Sequence, residues 1–234
     1  MAATGPAARP RSSRRIIVML GAPGAGKGTQ AERLAAELGL PHISTGELFR
    51  EALQGDDPLG AKVRRHVESG GLVPDAIVVE IVGKRLGQPD AAAGAILDGF
   101  PRTVAQAGVL DEMLAARSES VCAALYVEVP TELLTARLTG RRICTVDDQH
   151  VYHVVHRPPL REGICDIDGA ELCQRPDDSL ETVQARLDTQ LPPMYEVIDH
   201  YTEKEVLYSV RGDADADAVT QELLHALASI RANA

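Results

Sequence analysis

The chain has 234 residues and a formal net charge of −10, with 44% hydrophobic residues, 3% aromatic and no tryptophan. That is enough aliphatic material for one α/β domain with insertions, while the acidic balance argues against a nucleic-acid binder, which needs a basic face. No apolar run approaches the ~20 residues of a membrane span, and Cys122, Cys144, Cys165 and Cys173 are too sparse for a secreted disulfide framework, so a reducing cytosol is expected.

Residues 1–14 are arginine-rich and acid-free, with two serines. They read as a disordered extension, and an organellar transit peptide shares that composition. The apolar run Ile16 to Leu20 then predicts a buried strand. Gly21-Ala22-Pro23-Gly24-Ala25-Gly26-Lys27-Gly28-Thr29 follows it and opens a helix-period segment, Gln30 to Leu38, stopped by Gly39. Strand, glycine-rich turn and helix form the setting of a phosphate-binding loop. There, backbone N–H groups and the positive end of the helix dipole face the anion, and Lys27 reaches the terminal phosphates. One departure stands out: the hydroxyl follows the lysine one place late, at Thr29, with Gly28 between.

A short strand at His42-Ile43 leads into Ser44-Thr45 and a helix. Asp57-Pro58 reads as an N-cap with a first-turn proline, opening a helix to about Ser69 that Gly70-Gly71 stop. Pro74 starts another helix, to about Leu86. Helices this short between Thr45 and Val73 suit a small flap on the main domain. Ala95 to Asp98 is a third strand, ending in the turn Gly99-Phe100-Pro101-Arg102. Ligands of open α/β sheets bind outside the strands' carboxyl ends, so Asp98 and Arg102 face the same crevice as the glycine-rich loop. Val121 to Val127 and Glu205 to Val210 are the last two strands, each followed by a helix. Five β-α alternations predict a parallel, helix-covered sheet. Gly140 to Asp178 breaks the pattern: it is polar and irregular, and it precedes apolar positions 180, 183, 187 and 191 at helix spacing. So long a loop inside a compact domain is functional or a small module, and its Cys and Asp spacing favours a module.

Taken together, the chain resembles the long-lid adenylate kinases of the nucleoside monophosphate kinase family over about residues 15 to 230. The resemblance is carried by Gly21 to Gln30, Ile43-Ser-Thr-Gly-Glu-Leu48, Asp98-Gly-Phe-Pro-Arg102, Gly140-Arg-Arg142, Val151-Tyr-His-Val154 and Gln174-Arg-Pro-Asp-Asp178. The family also accounts for Gly28, which it places between the lysine and the threonine. The resemblance implies a P-loop core of 15–44, 74–139 and 178–234, an inserted helical AMP-binding flap at 45–73 and a lid at 140–177. It implies reversible in-line transfer from Mg·ATP to AMP, giving two ADP without a phosphoenzyme. It also implies a monomer with ATP, AMP and ADP as partners, and neither nucleic acid nor membrane.

Residue by residue, the resemblance gives ATP to Gly24, Ala25, Gly26, Lys27, Gly28, Thr29, Arg137, Arg141, Val151 and Tyr152. It gives AMP to Thr45, Arg50, Gly71, Leu72, Val73, Gly99, Phe100, Pro101, Arg102 and Gln106. Gln106 reads the adenine edge, which a glutamine amide can meet with one donor and one acceptor. Lys27, Arg102, Arg141, Arg175 and Arg186 form the catalytic set, the last two touching both nucleotides, and Asp98 holds Mg2+ through water. Arg186 also reads as a solvated helix ion pair. Asp177 and Asp178 either orient lid arginines or cap the next helix.

Cys144, Asp147, Cys165 and Asp168 match the family's lid zinc site with Asp in place of a second Cys, and one extra residue precedes Val151. Asp147, Asp148 and His150 are therefore all candidates for the second ligand, and a metal-free lid is the other reading. Cys122 and Cys173 read as packing residues.

Two rival functions share parts of this pattern. One is a related kinase with another donor or acceptor, such as GTP or UMP/CMP; the long lid and Gln106 argue against the acceptor change. The other is a P-loop nucleotide-binding switch protein, against which stands the intact set Lys27, Arg50, Arg102, Arg141, Arg175 and Arg186.

Overall fold

The computed structural model describes residues 14–54, 73–147 and 149–232. Most of the expected flap, including Gly71 and Leu72, lies outside the described residues, as do the expected helix over 57–69 and Asp148. The first strand, β1 (Arg15–Leu20), enters α1 (Lys27–Leu38) through the glycine-rich turn, and β2 (His42–Ser44) runs into α2 (Thr45–Gln54), which carries Arg50. α3 (Asp75–Leu86), β3 (Gly94–Asp98), α4 (Val104–Ala115), β4 (Val121–Glu128) and α5 (Thr131–Thr139) follow. After a small unit of β5 (Arg141–Cys144), β6 (Val151–His153) and β7 (Leu172–Cys173), α6 (Leu180–Glu203), β8 (Leu207–Arg211) and α7 (Ala216–Ala232) close the chain.

The main sheet has the order β2-β3-β1-β4-β8, with every neighbouring pair parallel. Its central strand shows why an unbroken apolar run was required. Ile16, Val18 and Leu20 point into one core with Val82, Leu110, Val197 and Tyr201. Ile17 and Met19 point into the other with Leu34, Leu134, Leu187 and Leu223. Side chains alternate along a strand, so a strand covered on both faces is apolar at every position. β1 thereby carries the glycine-rich turn on a central strand buried on both faces.

The 140–177 stretch is built on a three-stranded antiparallel sheet, β6-β5-β7, with its own cluster of Cys144, Tyr152 and Cys165. A 3-10 turn at Pro176–Asp178 returns the chain to α6. That helix runs straight through Pro192 and Pro193. Each proline removes one N–H from the helical ladder, but burial of Met194, Val197 and Tyr201 holds the second half against the core. Leu180 sits on its outer side, 64% exposed, so the buried stripe starts at Val183.

Two readings are corrected here. Arg14 belongs to the fold rather than to the tail: it is 6% exposed, and its guanidinium donates to the carbonyls of Ala91 and Leu86 and pairs with Glu119. Arg15 likewise donates to the Leu38 carbonyl at 3.0 Å. Cys173 is exposed on β7 rather than packed, and Cys122 is half-buried in β4.

Candidate active site

The turn after β1 is shaped by residues that have no side chain to spare. Gly24 has φ +82°, and a Cβ there would lie 2.9 Å from Leu138 and 3.2 Å from the Leu134 carbonyl, so α5 packs directly on the loop. α1 begins at Gly26, which offers no capping side chain, and has no acid in its first turn. Its positive end therefore remains available to an anion. Lys27 Nζ donates to the Ala22 carbonyl at 2.9 Å, which folds the side chain back across the loop.

The neighbours converge on that lysine. Burial pushes the Lys27 ammonium down to about 8, helped by Arg102, Arg186 and Arg141 and opposed by Asp98. A lysine that feels three arginines marks a place prepared for a multiply charged anion. Asp98, at the end of β3, is held below the usual carboxylate range: burial would raise it, but His42, Lys27 and Arg102 outweigh that. Its Oδ2 lies 3.6 Å from His42 Nε2. Burial lowers His42, while Asp98, Glu47 and Glu32 more than offset this and raise it.

Thr45 opens α2 and donates to the Gly99 carbonyl at 3.0 Å. Arg102 Nε donates to the same carbonyl at 2.8 Å, so the strand-end turn organises both side chains. Gly99, Pro101, Arg102 and Arg186 line one cleft with Gly21 and Lys27, while Phe100 and Val73 are buried in one apolar cluster. Gln106, on the first turn of α4, is 4% exposed, and its amide is engaged by Asp75 and by the Arg102 backbone.

Arg141 forms a two-pronged pair with Asp178, and Arg186 Nη1 reaches Asp177 Oδ2 at 2.5 Å. The capping alternative for these aspartates falls away, because Ser179 caps α6 by accepting from the Thr182 N–H. Arg137 sits in the last turn of α5, and Arg175 precedes the 3-10 turn. Val151 lies in β6, whereas the Tyr152 ring is buried in the small unit, its hydroxyl accepting from the Asp166 N–H at 2.8 Å.

In that small unit Cys144, His150, Cys165 and Asp168 bring their ligand atoms within 4.8 Å of one another. His150 Nδ1 is 3.0 Å from Asp168 Oδ2 and 3.5 Å from Cys165 Sγ, and Cys144 Sγ is 3.2 Å from Asp168 Oδ2. Zinc bonds of 2.0–2.3 Å in a tetrahedron give edges of roughly 3.3–3.8 Å, so the set fits that ion. Asp147 stands outside it, at 3.5 Å from His150 Nε2. The sequence placed Asp147 first because it falls where the family's second Cys falls. Two further neighbours escaped the sequence reading altogether: Asp75, which contacts Gln106, and His42, beside Asp98.

A glycine-rich turn at the end of a central parallel strand, a carboxylate at the next strand's end and arginines arriving from three elements define a P-loop phosphotransferase. The adenylate kinase family profile matches residues 19–206. An adenylate kinase of Bacillus subtilis (strain 168) is 44% identical over 215 residues, which is 92% of this chain and 99% of that protein. One from Streptomyces avermitilis is 45% identical over 90% of this chain and 96% of its own, and one from Caldicellulosiruptor saccharolyticus is 46% identical over 90% and 98%. The chain belongs to the adenylate kinase family, and its activity is that of an ATP:AMP phosphotransferase.

Proposed function

We propose that transfer runs in line between two nucleotides held on either side of Lys27, and that the chain's cations divide the work. The observation that carries this is that Arg102 and Arg186 line one cleft with the half-buried Lys27, whose ammonium these two arginines and Arg141 push down. Two polyanions cannot approach without charge neutralisation, alignment and exclusion of water, and no covalent nucleophile is needed.

In this reading the loop from Gly24 to Thr29 cradles the ATP phosphates, and Arg137 stacks on the donor base. Arg50 and Arg102 hold the AMP α-phosphate, with Thr45 and Gln106 at its base and Val73 and the Gly99 to Pro101 turn lining the pocket. Arg141, Arg175 and Arg186 reach the transferring group as the units at 140–177 and 45–73 close and exclude water. Asp98 would hold Mg2+ through water. A carboxylate kept ionised beside Lys27 is a hard oxygen donor suited to that ion. Bound with ATP, the metal neutralises charge on the terminal phosphates.

Cys144, His150, Cys165 and Asp168 would hold a structural zinc, with Asp147 behind His150 as the carboxylate that orients it. The protein works as a cytoplasmic monomer on ATP, AMP and ADP; among the described residues no helix is long and apolar enough to cross a membrane.

The test is to incubate the enzyme with Mg·ATP and, separately, AMP, GMP, CMP and UMP, and to measure the diphosphates formed. ADP formation dependent on AMP, with little product from the others, is expected. A faster reaction with another acceptor would overturn the adenine assignment, and no product with any would overturn the transfer reading.

A further inference from the structure

The amide of Gln106 is held in one of its two orientations. Its Nε2 donates to Asp75 Oδ1 at 2.7 Å, and its Oε1 accepts from the Arg102 backbone N–H at 2.8 Å. Asp75 Oδ2 accepts from the Thr103 hydroxyl at 3.0 Å, and that hydroxyl in turn accepts from the Gln106 backbone N–H at 3.2 Å. The ring of bonds has a single consistent assignment. A carboxylate only accepts, a backbone N–H only donates, and a hydroxyl whose lone pair is taken gives its proton to the carboxylate. Turning the amide over would set oxygen against oxygen at Asp75 and N–H against N–H at Arg102.

This matters because the two orientations read different bases. An amide nitrogen carries two hydrogens and its oxygen two lone pairs, so each atom keeps one further position after these bonds. The pair left over is one donor and one acceptor in fixed order. Adenine presents the complementary pair, an amine donor beside a ring-nitrogen acceptor. On the edge that carries N1, hypoxanthine has nearly the same shape with the order reversed: a carbonyl acceptor beside a ring N–H. A glutamine free to rotate serves both equally.

We infer that Asp75 is a specificity-determining positioning residue: it locks the Gln106 amide in the order that accepts an adenine and rejects a 6-oxopurine. This rests on the reading that Gln106 meets the acceptor base. Asp75 is 31 residues from Gln106 in sequence and opens α3, directly after the segment assigned to the flap. Its reach back to α4 also ties the flap's exit to the base-reading side chain.

The experiment compares AMP with inosine monophosphate as acceptors, by kcat/KM and by calorimetric binding without ATP or Mg2+. It uses the wild-type enzyme and the Asp75→Asn, Asp75→Ala and Gln106→Ala variants. Asn keeps the shape but also donates, so the contact at position 75 tolerates either amide orientation and only the Arg102 N–H is left to hold the order. Losing one charged locking bond should lower the AMP-to-inosine-monophosphate ratio about tenfold, with AMP binding weakened and inosine monophosphate binding strengthened. A uniform loss for both acceptors would make Asp75 merely structural and overturn the proposal. So would an unchanged ratio in both Asp75 variants while Gln106→Ala collapses it, because Gln106 would then read the base unaided. An unchanged ratio in Gln106→Ala itself would instead remove the base-reading assignment on which the proposal stands.

Discussion

Arg141 and Asp178 face each other as a fork and its socket: Nε and Nη2 of the arginine donate to Oδ2 and Oδ1 at 2.8 and 2.6 Å. The carboxylate is 0% exposed, and the arginine opens β5 where the chain leaves the P-loop core. Arg186 lies 3.8 Å from the same carboxylate. The two arginines proposed to stabilise the transferring phosphoryl are thus held by protein carboxylates. Removing one partner of a buried pair leaves the other uncompensated, which costs about 3–5 kcal/mol. Because Arg141 remains partly hydrated, Asp178→Ala should sit at the low end, about 3 kcal/mol. Urea unfolding measures it, and a loss below about 1 kcal/mol would mean the pair behaves as a surface one.

Lys27 gives a pH signature. Its ammonium is pushed down to about 8 from the ordinary 10.5, first by burial and then by Arg102, Arg186 and Arg141. Between those values the native lysine is neutral while the unfolded one is protonated. The unfolded state then binds more protons, and this group's contribution makes the nucleotide-free protein more stable as pH rises through that window. A polyphosphate reverses the local charge balance and returns the proton. ADP binding without Mg2+ should therefore take up close to no proton from Lys27 at pH 7, and a fraction approaching one near pH 9. Calorimetry in buffers of different ionisation heat reads this directly. Zero uptake at pH 9, or the same uptake in Lys27→Met, would show the lysine already charged.

How much of this was legible in advance follows from how local each signal is. The apolar run of β1, the glycines after it and the start of α1 are neighbours in sequence, so strand, loop and helix could be read together. The lid's ligand types were legible in the same way. Their pairing was not, because the turn between Asp147 and His150, not the spacing, decides which side chain swings inward. Asp75 was invisible: nothing local marks an aspartate after a helix-starting proline, and its contact lies on another helix. Arg14 misled for the opposite reason. Basic residues beside a basic tail read as tail, yet the carbonyls of Leu86 and Ala91 needed a buried donor. The prolines of α6 show packing overriding local propensity.

The proposed zinc site yields a prediction that separates ligand from orienter. The purified protein should carry one zinc per chain, and a strong chelator should lower its thermal midpoint. His150→Ala removes a direct ligand and should lose the metal under mild dialysis. Asp147→Ala removes only the group behind it, for which losses of roughly 10–100-fold in affinity are usual. Metal retained in His150→Ala but lost in Asp147→Ala would reverse the two roles.

The passage from α5 into the three-stranded unit rests on Gly140 and His153. The Gly140 N–H donates to the Ala136 carbonyl at 3.1 Å, and its own carbonyl accepts from Val154 at 2.9 Å. The His153 ring lies directly over the glycine, where an added methyl group would overlap the imidazole. That ring is pinned on both sides. Its Nδ1 accepts from the N–H groups of Val155 and His156, each at 3.0 Å, which places the proton on Nε2, donating to the Ala136 carbonyl at 3.2 Å. Gly140→Ala must therefore push His153 off α5 and disturb the joint between α5 and β5, on which the proposed lid would swing. Overpacking of this kind costs about 1–3 kcal/mol, and if the proposed closure of the 140–177 unit precedes transfer, kcat should fall with it. The decisive measurement is a double-mutant cycle with His153→Ala. If the ring is what the methyl group meets, Gly140→Ala should cost little once the ring is gone, leaving a coupling energy of at least about 1 kcal/mol. Simple additivity would place the strain in the backbone of residue 140 and not in its contact with His153.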